Sequence, residues 1–425
     1  MAETLLIAGG RVVDPAAARD AVLDVRIERG RVAEIGPGLA PGGARVIDAA
    51  GCVVAPGFVD LHTHLREPGR EDAETIESGS RAAALGGFTA ISAMANTDPV
   101  ADSAGIVEQV WNLGRAAGLC DVHPVGAITA GLRGESLAEI GEMANSAAKV
   151  TFFSDDGRCV GDAALMRRAL EYARAFDAVV ANHAEEAALA DGWSMNEGDV
   201  SALLGMRGLP AEAEEIIVAR DIMLARLTGG RLHIPHVSTA GTVDLIRAAK
   251  ARGIPVTAEV TPHHLTLTED AVRSFDPVYK VAPPLRTKPD VEALREALAD
   301  GTIDCVATDH APHTRESKDV EFDAAPCGML GLETALSIVL TDTALDVSTV
   351  VERMSVAPAR IRRLAGQGGP IAEGAAANLI VFDPAATWTV EPNTLASKSR
   401  NTPFAGRELQ GKVLWTIYRG RVVVA

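Results

Sequence analysis

The chain has 425 residues, of which 47% are hydrophobic and 23% charged. This composition is typical of a globular enzyme with a large core and excludes a mainly disordered chain. The 40 basic side chains against 57 acidic ones give a formal net charge of -17, which argues against nucleic acids and anionic membranes as partners. A small anionic substrate stays compatible with this charge, because a local group of Arg and His side chains is enough to bind it.

The cysteines and the apolar segments indicate where the protein resides. Its five cysteines are odd in number, widely spaced and without a C-x-x-C pair, which favours a reducing compartment. Residues 1–30 contain charges throughout and no apolar segment of a signal peptide. No later segment approaches the roughly 18 uninterrupted apolar residues of a membrane span. The sequence therefore predicts a cytoplasmic protein that does not enter membranes.

Short β-like runs separated by glycine turns lie at both ends of the chain. The N-terminal runs are residues 4–7, 11–13, 24–28 and 31–35, and the C-terminal runs are residues 378–382, 413–418 and 421–424. Neither group alone buries enough surface to be stable by itself. We therefore predict that residues 1–55 and 371–425 join in one small β-sandwich, with two unrelated terminal segments as the alternative.

Between the terminal segments, residues 56–370 alternate β-branched runs with Ala-rich helical stretches such as residues 163–176 and 291–299. This alternation is typical of parallel α/β folds. The predicted strands are residues 57–64, 89–96, 121–128, 149–156, 178–183, 231–236, 255–260 and 303–309. Because eight parallel strands close a barrel, the predicted fold class is α/β, a (β/α)8 TIM-like barrel with the small β-sandwich formed from both chain termini.

Polar side chains follow the predicted strands at their carboxyl ends, where the site of such a barrel is built. They are His62, His64, Asn96, Asp155, Asp156, His183, His236, His263, His264 and Asp309. An apolar core requires none of these residues at those positions. The sequence therefore predicts a functional site at this end of the barrel.

Several of these side chains are suited to bind metal ions. His62 and His64 lie two residues apart in D-L-H-T-H, and alternation along a strand points both into the barrel mouth as ligands of one ion. His183 and His236 end two later strands and are predicted to bind a second ion. Asp309 follows an apolar run and is predicted to bind metal and to move a proton, with a solvated loop carboxylate as the alternative.

Two metal ions in one site require an anionic bridging ligand, and the fourth strand offers candidates in F-F-S-D-D-G. Strand alternation does not choose between Asp155 and Asp156, because the register is not known. Lys149, as a carboxylated lysine, is a third candidate, although it lies near the start of its strand.

Three further histidines have weaker assignments. His233 lies three residues before His236 and on the opposite face of its strand, so we predict a packed side chain. His263 and His264 are adjacent, and only one of them can face the barrel mouth.

Seven short motifs are spread over the whole chain. They are D-L-H-T-H-L-R-E-P-G at 60–69, M-A-N-T at 94–97, F-S-D-D-G at 153–157, A-E-V-T-P-H-H-L at 258–265, P-P-L-R at 283–286, A-T-D-H-A-P-H at 307–313 and K-S-R-N-T-P-F-A-G at 398–406. Together they resemble the type I dihydroorotases of bacteria, members of the amidohydrolase superfamily. The resemblance implies a zinc-dependent cyclic amide hydrolase of pyrimidine biosynthesis that interconverts N-carbamoyl-L-aspartate and (S)-dihydroorotate.

The resemblance also implies a ligand set for two zinc ions per subunit. The implied ligands are His62, His64 and Asp309 for one ion, His183 and His236 for the other, and Asp156 for both. Asp156 is then the bridging carboxylate, with Asp155 beside it. In the implied mechanism a zinc-bound hydroxide attacks the ring amide, and Asp309 carries the proton to the leaving nitrogen.

The substrate contacts follow from the same resemblance. The implied contacts are His64, Arg66, Asn96, Ala282, His313, Cys327 and Gly328. Of these, Arg66, Asn96 and His313 are implied to meet the substrate carboxylate, for which a forked guanidinium is a suitable donor. The alternative for Arg66 is a surface ion pair with Glu67 or Glu71.

One implied contact departs from the family pattern. Ala282 stands where relatives commonly have an Asn that touches the substrate. Loss of one such hydrogen bond costs about 1 kcal/mol, which weakens an enzyme without changing its class.

The long polar segment 310–332 is predicted to be a lid that folds over the substrate. Hydantoinases, dihydropyrimidinases and allantoinases are the enzymatic alternatives, but they usually carry a bridging lysine and bind no substrate carboxylate. A non-catalytic subunit that scaffolds aspartate transcarbamoylase is the other alternative, although such subunits typically lose metal ligands. The resemblance implies a homodimer and leaves a complex with aspartate transcarbamoylase open.

Overall fold

The computed structural model describes residues 4–425, so residues 1–3 of the predicted N-terminal domain lie outside the described residues. The strands are β1 (Leu5–Asp14), β2 (Arg19–Glu28), β3 (Arg31–Gly36), β4 (Arg45–Asp48), β5 (Val53–Pro56), β6 (Phe58–Thr63), β7 (Phe88–Ala93), β8 (Asp121–Pro124), β9 (Phe152–Ser154), β10 (Val179–Ala181), β11 (Met195–Asn196), β12 (Gly208–Leu209), β13 (Arg231–Ile234), β14 (Val256–Val260), β15 (Cys305–Val306), β16 (Leu379–Thr389), β17 (Glu408–Tyr418) and β18 (Arg421–Val424). The helices are α1 (Ile76–Leu85), α2 (Ala104–Ala117), α3 (Ile140–Asn145), α4 (Ala163–Ala173), α5 (Asp199–Leu204), α6 (Glu212–Thr228), α7 (Ala240–Ala251), α8 (Lys288–Asp300), α9 (Arg315–Lys318), α10 (Ala335–Asp342), α11 (Val347–Val351) and α12 (Ala357–Arg362).

Eight parallel strands form the predicted barrel. Strands β6, β7 and β8 pair in one run, and β9, β10, β13, β14 and β15 pair in another. Parallel bridges between Gly126 and Phe153 and between Thr63 and His310 join the two runs and close the barrel. Each strand coincides with a predicted one but is shorter, because the chain leaves the sheet at the carboxyl end and the polar residues there belong mostly to loops.

The two ends of the chain form one mixed sheet of eight strands. Its order is β18-β17-β16-β5-β1-β2-β3, with β4 paired to β1, and antiparallel pairing of β16 with β5 connects the two termini. The predicted runs 4–7 and 11–13 belong to the single strand β1, whose register shifts beside Gly9 at a left-handed φ of 71°. The alternative of two separate terminal segments is therefore wrong.

Side-chain alternation in β16 explains how this sheet is placed on the barrel. Leu379 and Val381 pack into the sheet's own small core, whereas Ile380 and Phe382 pack into the barrel core. Apolar side chains on both faces of a strand require cover on both sides. Domain borders at residues 55/56 and 370/371 remain a proposal, with β5 in the sheet and β6 in the barrel.

The helices follow ordinary sequence rules. In α4, the N-cap Asp162 accepts the N–H of Leu165 at 2.8 Å, and the helix buries an apolar stripe against the barrel. In α8, Thr287 and Asp290 form a capping box, and Gly301 ends the helix at a φ of 85°. Over residues 4–425, no helix combines the length and the apolar character needed to cross a bilayer.

Candidate metal centre and substrate cavity

Two histidines of β6 and the loop after it lie beside the carboxylate that follows β9. Nε2 of His62 and Nε2 of His64 each lie 3.3 Å from Oδ2 of Asp156. Nδ1 of His62 donates to Glu259 at 2.8 Å. Nδ1 of His64 donates to Asn96 Oδ1 at 2.9 Å. Because these two oxygens only accept, Nδ1 of each histidine carries a proton, and Nε2 of each is the nitrogen that faces Asp156.

A second pair of histidines faces the other oxygen of the same carboxylate. Nδ1 of His183 lies 2.9 Å from Nε2 of His236. Oδ1 of Asp156 lies 3.2 Å from Nε2 of His236 and 3.6 Å from Nδ1 of His183. The two oxygens of Asp156 therefore face two groups of histidines, and the ligand atoms of each group lie within 4.8 Å of one another.

Asp309 completes the cluster from the loop after β15. Its Oδ1 lies 3.1 Å from Nε2 of His64 and 3.5 Å from Nε2 of His62. Asp309 and His236 have left-handed φ values of 47° and 33°, and so does Arg66 with 63°. Such backbone strain in non-glycine residues concentrates at functional sites, where the surrounding structure holds it.

The donor set suits divalent metal ions. Nε2 of His62 is buried without a hydrogen-bond partner. Burial opposes protonation of His62, yet the charges of Asp156 and Asp309 outweigh burial and raise its pKa well above the usual value. Burial would likewise raise the pKa of Asp156, but the charge of His62 holds it well below its usual range. Imidazole nitrogens and carboxylate oxygens grouped in this way are ligands that divalent metal ions, zinc among them, accept.

The other two candidates for the bridging ligand lie elsewhere. Asp155 accepts the N–H of Thr129 at 3.0 Å and also its hydroxyl. Lys149 is exposed before β9, and its Nζ donates to the carbonyl of Asn145 at 3.4 Å. Of the three candidates, Asp156 alone faces the histidines.

Glu259 of β14 connects the cluster to His233. Its Oε1 binds Nδ1 of His62 at 2.8 Å, and its Oε2 binds Nε2 of His233 at 3.0 Å. Nδ1 of His233 in turn lies 2.8 Å from the hydroxyl of Thr257, so both ring nitrogens are partnered inside the barrel. Burial alone would raise the pKa of Glu259, but the bonds from the two histidines lower it to about 2.

A cavity of about 330 Å³ opens beside the cluster at the carboxyl end of the barrel. Asp156, His183 and Asp309 line it. All the predicted substrate contacts line it too: His64, Arg66, Asn96, Ala282, His313, Cys327 and Gly328. The structure therefore brings the predicted metal ligands and substrate contacts to one place.

Arg66 lies inside this cavity and not in a surface ion pair. Its Nε donates to the carbonyl of Pro312 at 3.0 Å. Glu67 and Glu71 each accept a backbone N–H instead. Burial lowers the pKa of Arg66 to about 10, so the guanidinium stays charged at neutral pH.

His313 and Gly328 are packed against each other on one wall. Nε2 of His313 donates to the carbonyl of Cys327 at 2.8 Å. Burial, followed by the charge of Arg66, lowers the pKa of His313 to about 2, so the imidazole is neutral. Gly328 has a φ of 135°, and a Cβ there would lie 2.7 Å from Ala311 Cβ and 2.9 Å from His313 Nε2. Only glycine fits at this position.

Neither His263 nor His264 is among the residues that line the cavity. His264 binds Thr261 Oγ1 at 2.8 Å and the carbonyl of Pro283 at 3.1 Å. Nε2 of His263 is buried without a hydrogen-bond partner, and burial lowers the pKa of this residue to about 4.

Five residues that line the cavity were absent from the sequence candidates, and two of them, Gly157 and Ala311, lie within the quoted motifs. The other three are Arg70, Glu185 and Trp193. Arg70 follows Arg66 by four residues, and Glu185 follows His183 by two, so proximity along the chain was a usable signal for both. Nothing in the sequence marked Trp193.

The predicted lid segment is clamped against the neighbouring segment 277–280. Nζ of Lys318 donates to the carbonyls of Pro277 at 3.0 Å and Pro326 at 2.8 Å. In the reverse direction, Nζ of Lys280 donates to the carbonyl of Asp323 at 2.7 Å. These bonds hold the loop in the arrangement that lines the cavity, and movement on substrate binding stays a prediction.

Comparison with known proteins agrees with this geometry. A family model described as dihydro-orotase-like matches residues 51–242. The dihydroorotase of Streptomyces coelicolor is 59% identical over 405 residues, which are 94% of this chain and 95% of that protein. The dihydroorotases of Leifsonia xyli and Mycobacterium tuberculosis are each 56% identical; the first comparison covers 99% of this chain and 96% of that protein, the second 94% of each. This chain belongs to the dihydroorotase family.

Dihydroorotases are cyclic amide hydrolases, and the chain is an enzyme of that class. Among solved structures it is similar to the L-hydantoinase (dihydropyrimidinase) from Arthrobacter aurescens, with a TM-score of 0.88, 26% identity and coverage of 100% of this chain and 96% of that one. It is also similar to the D-hydantoinase from Bacillus sp. AR9, with a TM-score of 0.83, 28% identity and coverage of 99% and 95%. These similarities confirm the barrel fold. The much higher identity to dihydroorotases separates the chain from hydantoinases.

Proposed function

We propose that this member of the dihydroorotase family is a zinc-dependent enzyme that interconverts N-carbamoyl-L-aspartate and (S)-dihydroorotate through Asp309 as the proton carrier. One observation carries the proposal: a single cavity is lined both by four members of the carboxylate and imidazole cluster and by the buried guanidinium of Arg66. The four are His64, Asp156, His183 and Asp309. A forked guanidinium suits a carboxylate, which dihydroorotate has and hydantoin and allantoin lack.

The cluster is proposed to hold two zinc ions. The proposed ligands are His62, His64 and Asp309 for one ion, His183 and His236 for the other, and Asp156 for both. The separate histidine groups at the two oxygens of Asp156 support this division. When bound, such ions acidify a water molecule and polarise the amide carbonyl.

Asp309 is proposed to move the proton. Its carboxylate lines the cavity, and its Oδ1 lies 3.1 Å from Nε2 of His64. Burial alone would raise the pKa of Asp309, but the charge of His62 and the bond from His64 lower it, so the carboxylate is ionised and can accept a proton. In hydrolysis it takes the proton of the attacking water and gives it to the ring nitrogen as the amide bond breaks.

The substrate carboxylate is proposed to bind between Arg66, Asn96 and His313. Nη2 of Arg66 lies 3.4 Å from Nε2 of His313, so the two side chains converge on one side of the cavity. The guanidinium supplies the charge, because the imidazole of His313 is neutral. Oδ1 of Asn96 is bonded to His64, and its amide nitrogen is the group proposed to meet the substrate.

The test is turnover of dihydroorotate by the purified, zinc-loaded protein, compared with Asp309→Asn and with Asp319→Asn, which changes an exposed carboxylate of the neighbouring loop. We expect the parent and Asp319→Asn to be equally active. Asp309→Asn should lose at least about 100-fold in kcat, since general acid–base catalysis contributes that much or more. If the zinc-loaded parent protein hydrolyses hydantoin or allantoin but not dihydroorotate, the proposed substrate is wrong. Parent that opens no cyclic amide supports the scaffold alternative.

A homodimer, a complex with aspartate transcarbamoylase and a cytoplasmic location are further proposals that rest on the family. Analytical ultracentrifugation of the enzyme alone, and then with added aspartate transcarbamoylase, tests the first two. A single monomeric species at both steps would contradict them.

A further inference from the structure

The C-terminal motif at 398–406 contains a buried asparagine that binds the loop after β15. Oδ1 of Asn401 accepts the backbone N–H of His313 at 3.2 Å. Its Nδ2 donates to the carbonyls of Ala311 at 3.0 Å and Gly328 at 3.2 Å. The backbone carbonyl of Asn401 accepts the N–H of Leu330 at 3.1 Å. One residue of the C-terminal segment therefore binds both ends of the loop that lines the cavity.

We propose that Asn401 is a positioning residue that holds His313 and Gly328 in the arrangement that binds dihydroorotate. Ala311, His313 and Gly328 line the cavity, and Asn401 lies behind them. The inference rests on the proposed function, because it assigns a role in binding that substrate. It also means that the C-terminal segment supports, from behind, a cavity whose walls belong to the barrel.

The bonding pattern at Asn401 requires an amide. One oxygen accepts from His313, and one NH₂ group donates to two carbonyls. An aspartate keeps the shape and the acceptor but places a carboxylate against the carbonyl oxygens of Ala311 and Gly328. A glutamine keeps the same groups but displaces them by one methylene. Comparison of the aspartate and glutamine variants therefore distinguishes the loss of the amide hydrogen bonds from a change in side-chain packing.

The segment that carries Asn401 is itself fixed to the barrel. Buried Glu74 accepts the hydroxyl of Ser397 and, at 3.1 Å, the N–H of Lys398. The hydroxyl of Ser399 donates to the carbonyl of Ala73 at 2.8 Å. Asn401 therefore lies in a segment that is held in place, and its hydrogen bonds position the loop after β15.

Displacement of the loop would disturb several cavity groups together. The imidazole of His313 donates to the carbonyl of Cys327, and the N–H of Gly328 donates to the carbonyl of Lys280 at 2.9 Å. The N–H of Gly328 is thus engaged with protein, so this residue offers the substrate space and not a backbone donor. A small shift of this wall narrows that space, and misplacement by about 1 Å can cost roughly 100-fold in rate.

The experiment compares Asn401→Asp, Asn401→Gln and Asn401→Ser with the parent and with Asn393→Asp, which makes the same amide-to-acid change at an exposed site nearby. The measurements are kcat and KM for dihydroorotate, zinc content and melting temperature of the full-length zinc enzyme. We expect kcat/KM to fall about 10- to 100-fold in the Asn401 variants, mainly through KM, while zinc content stays at the parental value. Asn393→Asp should match the parent.

The outcomes separate this inference from the proposed function. Active parent with Asn401 variants of unchanged KM overturns the positioning role alone. The positioning role is also overturned if, across the three variants, the fall in kcat/KM is proportional to the loss of melting temperature or of bound zinc. A residue with a purely structural role would behave in that way. Parent without dihydroorotate turnover overturns the proposed function itself.

Discussion

The carboxylate of Glu259 binds Nδ1 of His62 at 2.8 Å and Nε2 of His233 at 3.0 Å. Because Glu259 holds a proton of His62 on Nδ1, Nε2 is the nitrogen left to bind a metal ion beside Asp156. The candidate metal centre therefore depends on a residue that does not face the cavity.

Glu259→Gln should weaken metal binding. The glutamine amide can donate as well as accept, so it no longer fixes the proton of His62 on Nδ1, and loss of such a partner lowers metal affinity about 10- to 100-fold. Competition with a chelator measures this affinity. Glu269→Gln is the matched control, because Glu269 is another buried carboxylate, bonded to Asn196 and outside the cluster. Equal zinc affinity in Glu259→Gln and the control would show that Glu259 does not orient His62.

Ala282→Asn should strengthen substrate binding. Ala282 lines the cavity. An asparagine at this position would place an amide group where the parent side chain is a methyl group. One added bond of about 1 kcal/mol lowers KM for dihydroorotate about fivefold, with kcat and zinc content unchanged. A KM equal to or above the parental one would mean that the cavity already satisfies the substrate there, or that the larger side chain occupies its space.

The barrel and the cluster of candidate metal ligands could be predicted because both depend on local patterns. Strand periodicity and the histidines at strand ends are visible in the sequence. Strand alternation could not choose between Asp155 and Asp156, because the choice depends on where the chain leaves β9. Asp155 turns back to Thr129, and Asp156 turns into the barrel. The roles of Asn401 and Glu259 depend on contacts across 88 and 197 residues, which no local pattern encodes.

Lys318→Met should make the loop after β15 easier to cleave. Nζ of Lys318 binds the carbonyls of Pro277 and Pro326, and methionine keeps the length of the side chain without a donor. If the closed state of the loop loses about 1 kcal/mol of stability, the population of the open loop rises about fivefold. The rate of proteolysis rises with that population. A protease that cleaves after Glu reports on Glu316 and Glu321 in the loop.

The control for this loop is Lys288→Met, which removes a lysine that is 81% exposed on α8. Cleavage of Lys318→Met at the rate of this control would exclude Lys318 as the clamp. If the loop also opens for substrate, saturating dihydroorotate should protect the parent from cleavage, and unchanged cleavage would contradict the lid.

Glu333→Gln should change how stability depends on pH. Glu333 accepts the N–H of Ala396 at 3.0 Å, and burial raises the pKa of this carboxyl to about 7. Since this pKa is above that of the unfolded chain, the folded state binds the proton more tightly, and stability falls as pH rises from about 4.5 to 7. Glutamine keeps an acceptor and has no charge to bury. Relative to the parent, the variant should therefore gain up to about 3 kcal/mol between pH 5 and pH 8.

Urea denaturation of parent and variant at pH 5 and pH 8 measures this change, because the difference between the two proteins cancels every other titrating group. Glu28→Gln, at an exposed position of β2, should show no such pH dependence. A stability difference between parent and Glu333→Gln that is the same at both pH values would mean that Glu333 ionises as easily in the folded chain as in the unfolded one. In that case the bonds from the 396–397 backbone, and not burial, would dominate the energetics of this carboxylate.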